Sequence, residues 1–280
     1  MHIAIDPGHI GGPFAILEQR NFHPLSDDPE QIPVREGDLS LATALHLKPL
    51  LEKLGAQVTL VRKTPEPVTQ QRPKDFLPQF HDRTMANKLF YRTAEIRARA
   101  ALVNETIQPD LVLCLHYNAD AWNDPKKPWA SRNHFHILMN GAYMPAEIAL
   151  DDQRFEMLRH LYNKNTSRAL PLAQTISDVF LRETDLIAYH YPSSAPALRL
   201  DNTRPIYARN LLANRLYQAP TIFLEPYVMN NRETYDRVQL GDYEGFREIK
   251  GKPRRSLVRE YAHTLMLAFA EHYSLQVPSP

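Results

Sequence analysis

The stretch Asp110–His116 (DLVLCLH) is apolar at every position between its charged first residue and its final histidine. Such a run is typical of a strand that is buried on both faces of a sheet. His2–Asp6 (HIAID) and Thr221–Glu225 (TIFLE) have the same character, and Gln57–Arg62 (QVTLVR) is rich in β-branched residues. These four segments predict the central strands of one sheet.

Helical patterns separate the strands along the chain. Asp38 is placed to cap a helix over 38–54 that ends at Gly55, and Pro49 predicts a kink or break inside it. Strands that alternate with helices predict an α/β fold, in which a largely parallel sheet is covered by helices on both faces. The remaining predicted elements are a strand over 134–139 and helices over 93–105, 146–161, 169–184, 205–213 and 256–273.

Two regions lack sustained periodicity. Residues 10–37 contain four prolines and predict a long loop over one end of the sheet. Residues 63–92 also contain four prolines, and their aromatic residues (Phe76, Phe80, Phe90 and Tyr91) need a surface to pack against. We interpret 63–92 as an insertion that forms a rim or lid over a cleft; the alternative is a satellite on a distant face. No linker divides the chain, so 1–280 is interpreted as a single domain.

The composition narrows the class of protein. The chain has 280 residues, of which 43% are hydrophobic and 23% charged, as in a globular protein with a sizeable core. A net charge of +1 does not indicate the broad basic surface that nucleic-acid binding requires. No apolar run approaches the roughly 20 residues that span a bilayer. The chain begins directly on a strand, so we expect either a cytoplasmic protein or one whose export signal was removed, which would then be periplasmic or extracellular. Oligomeric state is not predicted.

Four side chains that could bind a metal or transfer a proton are predicted to lie at one edge of the sheet. His9 lies three residues beyond the first strand, His116 and Glu225 end later strands, and Glu36 precedes the 38–54 helix. Ligands of open α/β sheets bind outside the carboxyl ends of the strands. Two histidines and one carboxylate with an open position make a known catalytic zinc set, and a further carboxylate beside it acts as general base and then acid.

Four segments, in order, resemble the zinc-dependent type-3 N-acetylmuramoyl-L-alanine amidases. Asp6–Gly12 (DPGHIGG) resembles the opening motif of that family, and Glu36–Leu39 (EGDL) resembles its second-ligand block. Leu115–Ala119 (LHYNA) and Pro220–Glu225 (PTIFLE) resemble its third-ligand strand and the block with its catalytic glutamate. The resemblance extends over residues 2–233, most of the chain.

The resemblance implies one zinc ion held by His9, Glu36 and His116, with Glu225 as the catalytic residue. It also implies a twisted, mostly parallel, phosphorylase/hydrolase-like sheet. The implied reaction is hydrolysis of the amide between N-acetylmuramic acid and L-alanine in bacterial peptidoglycan. The chain departs from the family pattern at Ile10, which interrupts the usual His-Gly-Gly run, in the long 63–92 insertion, and at Pro226-Tyr227, which replaces small residues.

Alternatives remain open on the sequence alone. The same metal and glutamate would serve a zinc peptidase, and a chain that had lost turnover would be a non-catalytic cell-wall binding module. Asn118, Arg199 and Arg209 are candidate substrate contacts, since arginine pairs well with carboxylates. His134 and His136 share one strand face, which indicates a structural role, a place in the cleft or a second metal site.

Overall fold

A computed structural model describes residues 1–24, 30–122 and 128–277. The strands are β1 (His2–Pro7), β2 (Asn21–Phe22), β3 (Val34–Arg35), β4 (Gln57–Leu60), β5 (Leu111–Leu115), β6 (His134–Met139), β7 (Ile187–Ala188), β8 (Leu198–Arg199), β9 (Ile206–Ala208), β10 (Thr221–Glu225), β11 (Arg247–Ile249) and β12 (Lys252–Arg254). Eight of these strands form one mixed sheet in the order β4-β1-β5-β10-β6-β9-β8, with β7 beside β6. Two further pairs, β2 with β3 and β11 with β12, form small hairpin-like ribbons.

Strand direction determines which residues meet at the edge of the sheet. β4, β1, β5 and β10 are mutually parallel, whereas β6 runs antiparallel to β10. Strands β7 and β9 run parallel to β6, and β8 runs antiparallel to β9. The amino end of β6 therefore lies at the same edge as the carboxyl ends of β1, β5 and β10.

Helices cover both faces of the sheet, as predicted. The helices are α1 (Phe14–Leu17), α2 (Glu36–Lys53), α3 (Pro73–Phe80), α4 (Arg83–Leu89), α5 (Glu95–Ala101), α6 (Pro145–Ile148), α7 (Asp151–Tyr162), α8 (Asn165–Glu183), α9 (Leu212–Leu216), α10 (Arg232–Gln239) and α11 (Leu257–His272), with π-helical segments at Phe90–Ala94 and Leu102–Ile107. On one face of the sheet, apolar residues of α2, α8 and α11 pack on Ile3, Ile5 and Leu113. On the other, α5 and residues near α9 pack on Ala4 and Val112.

The α/β architecture with a mostly parallel sheet is confirmed, and two local predictions are wrong. The helix predicted over 205–213 is in fact strand β9 followed by the short helix α9. Pairing of Ile206 with Ile137 of β6 selects the extended conformation that the local pattern did not reveal. Of the kink or break predicted at Pro49, the break does not occur, because helix α2 continues through this residue. The 63–92 segment, predicted as irregular, contains α3 and α4.

Among the described residues, no helix combines the length and the apolar character needed to cross a membrane.

Candidate metal centre and active site

The three predicted ligands meet at the carboxyl edge of the sheet. His9 follows β1, His116 follows β5, and Glu36 is the first residue of α2. Nε2 of His9 lies 3.2 Å from Glu36 Oε2, and Nδ1 of His116 lies 2.9 Å from Glu36 Oε1. One ligand atom from each residue lies within 4.8 Å of the others. In the part of the chain that the structure describes, no other group of histidine, cysteine and carboxylate residues has this geometry.

The surroundings of Glu36 keep its carboxylate negatively charged, as binding of a cation requires. Burial raises the pKa of Glu36, but the nearby charges of His9 and Arg20 and a hydrogen bond with His116 outweigh it and hold the pKa at about 2. The carboxylate is therefore ionised. Its Oε2 atom is buried and accepts no hydrogen bond from the described residues. A buried anionic oxygen in that state needs a positive partner, and two imidazoles beside it give the donor set that zinc prefers.

Two glycines allow the ligand loops to approach each other. A Cβ atom on Gly8 would fall 2.4 Å from the imidazole of His116, and one on Gly37 would fall 2.2 Å from the carbonyl oxygen of Ile10. Any side chain at either position would displace a ligand or its loop. His9 itself has a φ of 57°, a left-handed conformation that turns the loop sharply after β1.

Arg99 of α5 fixes the loop that carries His9 through several hydrogen bonds. Its guanidinium donates to the Asp6 carboxylate at 2.9 Å and to the carbonyl oxygens of Pro7 and His9 at 2.6 Å each. Its Nε donates to Glu95 at 2.7 Å. The side chain is buried, and the two carboxylates compensate its charge. Five donors in a fixed plane make arginine suited to holding several backbone oxygens at once.

Sequence reasoning missed Glu18 and Arg20, which complete the surroundings of the ligands. Glu18 Oε2 lies 2.9 Å from Nδ1 of His9 and accepts the backbone N–H of Ile10 at 3.1 Å. Arg20 Nε lies 3.6 Å from Glu36 Oε2. Both residues lie in the non-periodic 10–37 region, around the short helix α1, so no repeating pattern marked them. Charged residues close in sequence to a proposed ligand were the only available signal.

Glu225 ends β10 and lines a cavity of about 460 Å³ beside the three ligands. Burial and the nearby negative charge of Glu36 raise the pKa of Glu225 to about 8, although Arg20, His9 and Arg209 oppose the shift. A carboxyl group with a pKa near neutrality exchanges protons readily at working pH. The cavity is lined by Asp6, Gly8, His9, Glu18, Arg20, Tyr91, Arg92, Glu95, Ile96, Arg99, His116, Leu138, Arg209, Leu211, Leu212, Ala213, Tyr217, Phe223 and Glu225.

Arg209 lies at this cavity, whereas Arg199 does not. Arg209 Nη1 donates to the Tyr191 hydroxyl at 3.4 Å, and His136 Nε2 lies 3.1 Å from the same hydroxyl. His136 is also the register partner of Glu225 across β6 and β10. The exposed Arg199 of β8 donates instead to the carbonyl oxygen of Asp201 at 2.8 Å.

Asn118 and the two histidines of β6 form a separate internal cluster. Asn118 Nδ2 lies 3.3 Å from Nδ1 of His134 and 3.5 Å from Nδ1 of His136. The ring of Tyr189 lies against both imidazoles, with centroids 4.5 and 4.9 Å away. Burial, with the charges of His134 and Arg209, lowers the pKa of His136 to about 3. These contacts favour the structural interpretation of the β6 histidines.

The fold is α/β with a mixed sheet, and a His-Glu-His group lies where its parallel strands end. Glu225, a carboxyl group with a raised pKa, lies beside this group. Together these features define a metal-dependent hydrolase. Comparison with protein families makes this specific. Residues 3–245 match the Amidase_3 family model, described as N-acetylmuramoyl-L-alanine amidase, and the chain belongs to this family. It is thus an amidase of a zinc-dependent family, with peptidoglycan as the substrate that the family implies. The predicted family and enzyme class are confirmed.

Solved structures share the fold. The CwlD amidase from Clostridioides difficile, in complex with the GerS lipoprotein, has a TM-score of 0.55 at 13% identity, covering 98% of each chain. N-acetylmuramyl-L-alanine amidase Ami1 from Mycobacterium abscessus has a TM-score of 0.55 at 15% identity, covering 97% of this chain and 98% of its own. N-acetylmuramoyl-L-alanine amidase AmiC2 of Nostoc punctiforme has a TM-score of 0.52 at 14% identity, covering 98% of this chain and 97% of its own. No curated protein sequence matches the chain significantly.

Proposed function

We propose that one zinc ion is held by His9, Glu36 and His116, and that Glu225 carries the proton during hydrolysis of the muramoyl–L-alanine amide. The observation that carries the proposal is the buried, ionised Glu36 carboxylate, which has one histidine nitrogen 2.9 Å and another 3.2 Å away and one oxygen without a hydrogen bond. Two nitrogens and one carboxylate oxygen favour zinc over magnesium or calcium, which prefer all-oxygen sets.

A zinc ion held by His9, Glu36 and His116 would supply Lewis-acid polarisation of the scissile carbonyl and would make a water molecule more acidic. The chain supplies the proton transfers. The Glu225 carboxylate takes a proton from water as the water oxygen attacks the carbonyl carbon. The resulting carboxyl group then gives that proton to the amide nitrogen as the C–N bond breaks. The products are a lactyl carboxylic acid on the sugar and an amine on L-alanine, and the acid then gives its proton to the amine, which leaves a carboxylate and an ammonium group. Burial and the negative charge of Glu36 raise the pKa of Glu225, whereas a bound cation would oppose this shift by its positive charge, so Glu225 would be ionised for the first transfer.

Arg209 is proposed to bind a carboxylate of the peptide stem. Its side chain lines the cavity together with Glu225, and its guanidinium donates a hydrogen bond to the Tyr191 hydroxyl. Charge-assisted hydrogen bonds to carboxylates are roughly twice as strong as neutral ones. Neither Asn118, whose amide faces the β6 histidines, nor Arg199, which is exposed on β8, has comparable support as a substrate contact.

The insertion is proposed to form one rim of the cleft within a single catalytic domain. Tyr91, near its end, and the next residue, Arg92, line the cavity. Its beginning is tied to the same region, because the backbone N–H groups of Val68 and Thr69 donate to the Glu95 carboxylate at 3.2 and 2.9 Å. Glu95 in turn bonds Arg99, so the insertion and the first ligand loop share one support.

The zinc and Glu225 assignments are tested by metal analysis of purified protein together with mass spectrometry of digested muropeptides. We expect one zinc per chain and products that separate between the lactyl group and L-alanine. Peptides of the same sequence without the muramoyl sugar should be cleaved poorly. Efficient cleavage inside such peptides would instead identify a peptidase, and a zinc-free chain with full turnover would overturn the ligand assignment.

A further inference from the structure

A groove of about 190 Å³ lies beside the metal-site cavity. One of its walls consists of α1 and the turn that follows it, and the other consists of α4 in the insertion. Tyr91 lines both the groove and the cavity, so the two spaces meet at this residue. Tyr91 lies in the π-helical segment Phe90–Ala94, and short π-helical segments are frequent at functional sites. The groove therefore continues the cleft into the insertion.

The first wall of the groove is directly connected to the metal ligands. Gln19 lines the groove, while its neighbours Glu18 and Arg20 lie beside His9 and Glu36. Gln19 has a φ of 57°, a left-handed conformation that is uncommon for a residue other than glycine. Such conformations persist only where the surrounding structure imposes them, and they cluster at functional sites. The same turn therefore shapes the metal site and the groove.

The lining of the groove is mostly neutral. Gln19, Thr84 and Asn87 offer amide and hydroxyl groups, which both donate and accept hydrogen bonds, and Ile16 offers apolar surface. Among the described residues, Lys88 is the only charged side chain of the lining. Neither Gln19 nor Asn87 uses its side-chain amide in a hydrogen bond with another described residue. These groups suit a neutral ligand that carries hydroxyl, amide and methyl groups, as an N-acetylated sugar does.

The order of the strands places the groove and Arg209 on opposite sides of the metal group. His9, His116 and Glu225 lie at the ends of the adjacent strands β1, β5 and β10. Arg209 follows β9, beyond β10, whereas α1 and the groove follow β1. The scissile amide joins the lactyl group of the sugar to the peptide stem, so the two parts of the substrate leave it in opposite directions. A stem directed towards Arg209 places the glycan on the side of Tyr91.

We propose that this groove binds an N-acetylated sugar of the glycan strand, next to the muramoyl residue whose amide is cleaved. The proposal rests on the proposed function and deepens it, because it makes chain length a determinant of the substrate. The muramoyl sugar lies beside Tyr91, and the adjacent sugar lies between α1 and α4, where the groove has room for one such ring. The enzyme then prefers glycan chains to a single muramoyl-peptide.

Cleavage of two substrates with the same stem tests this preference. One is a muramoyl-peptide, and the other is a tetrasaccharide of alternating N-acetylglucosamine and N-acetylmuramic acid with the stem on its internal muramoyl residue. We expect a lower KM for the tetrasaccharide. Asn87→Ala should raise that KM by up to about tenfold, the effect of a lost hydrogen bond, and leave the KM for the muramoyl-peptide unchanged. The control is Asn163→Ala, which changes an asparagine of a polar pocket near the start of β5 and β10 and should match the wild type.

Calorimetric titration with a peptide-free tetrasaccharide separates this proposal from the proposed function. The wild type and Asn163→Ala should bind it, Asn87→Ala should bind it up to about tenfold more weakly, and Asn87→Trp, whose indole fills the groove, should not bind it. Binding that depends on Asn87 in a protein that cleaves nothing would support the groove and contradict only the amidase. Equal KM values of the wild type for the two substrates, or binding that ignores Asn87, would overturn the groove. So would an equal rise of both KM values in Asn87→Ala, since the stem would then be the occupant.

Discussion

The carboxylate of Glu18 lies 2.9 Å from Nδ1 of His9, and Nε2 of the same imidazole lies 3.2 Å from Glu36. Because a carboxylate accepts hydrogen bonds, Glu18 keeps the proton on Nδ1 and leaves Nε2 free as a ligand. Partners of this kind fix the tautomer and orientation of a ligating histidine.

Glu18→Ala should therefore lower zinc affinity by about 10–100-fold, the range typical of such partners. Titration of the apoprotein against a competing chelator measures the affinity directly, without reference to turnover. Glu52→Gln is the control, because Glu52 forms an exposed ion pair with Lys48 on α2. Equal affinities in the Glu18 variant and the control would show that the contact does not orient His9.

Removal of His116 should abolish zinc binding. We expect His116→Ala to contain no stoichiometric zinc, whereas His46→Ala, which changes an imidazole paired with Asp242 on the surface, should retain it. Zinc should also stabilise the wild type, by about 2.7 kcal/mol at a hundred times the dissociation constant. Thermal unfolding with and without zinc measures this gain. A stabilisation of His116→Ala as large as that of the wild type would place the ion elsewhere.

Glu225→Gln should keep its metal and lose turnover by about 10²–10⁴-fold, because an amide cannot accept a proton from water. Cleavage of purified peptidoglycan measures turnover, and metal analysis of the same sample confirms that the site is filled. Glu233→Gln removes a carboxylate that pairs with Lys250 outside the cavity, so it should match the wild type. Turnover of Glu225→Gln within a few-fold of that control would contradict the assignment.

The two candidate arginines give a matched pair of variants. Arg209→Ala should raise KM for muropeptides by about tenfold, the effect of one lost charge-assisted hydrogen bond. Arg199→Ala should leave KM unchanged, because Arg199 contacts only a nearby carbonyl oxygen in the described structure. Steady-state kinetics on a substrate with amidated stem carboxylates completes the test. On that substrate, Arg209→Ala and the wild type should behave alike.

His136 should give the protein a specific acid sensitivity. Its pKa is about 3 when folded, well below the ordinary value near 6.5, because it is buried. The unfolded chain therefore binds a proton that the folded chain does not, and stability falls as pH falls below about 6.5, by up to about 1.4 kcal/mol per pH unit. Denaturant unfolding at a series of pH values should show a shallower acid loss for His136→Gln. Parallel curves for the two proteins would mean that other groups dominate.

Replacement of residues 74–87 by a short Gly-Ser linker tests the insertion. This leaves Val68 and Thr69, which bond Glu95, and the cavity residues Tyr91 and Arg92 in place. We expect unchanged zinc content and a changed KM or substrate range, because α3 and α4 no longer support the rim. If zinc content, KM and substrate range all match the wild type, the insertion serves only as scaffolding.

The sequence predicted the site residues that lie at the ends of buried strands. His116 and Glu225 end runs of apolar residues, so their place at one edge followed from the pattern. The sequence gives no signal for the direction of β6, because a strand that is buried on both faces has the same apolar pattern whether it runs parallel or antiparallel to its neighbour. Glu18 depends on a non-periodic turn whose course is set by tertiary contacts. Arg209 and Arg199 looked equivalent in sequence, and only the pairing of β8 and β9 separated them.

Arg99 has a consequence for the order in which the enzyme matures during synthesis. The loop of His9 is made before Arg99, yet three of its oxygen atoms accept hydrogen bonds from this guanidinium, which lies 90 or more positions later. Its strand also needs β5, which follows Arg99. The loop of His9 therefore cannot take its final shape until Arg99 and β5 have left the ribosome. A nascent chain arrested before β5 emerges lacks both the neighbour of β1 and His116, so it should be unable to capture zinc.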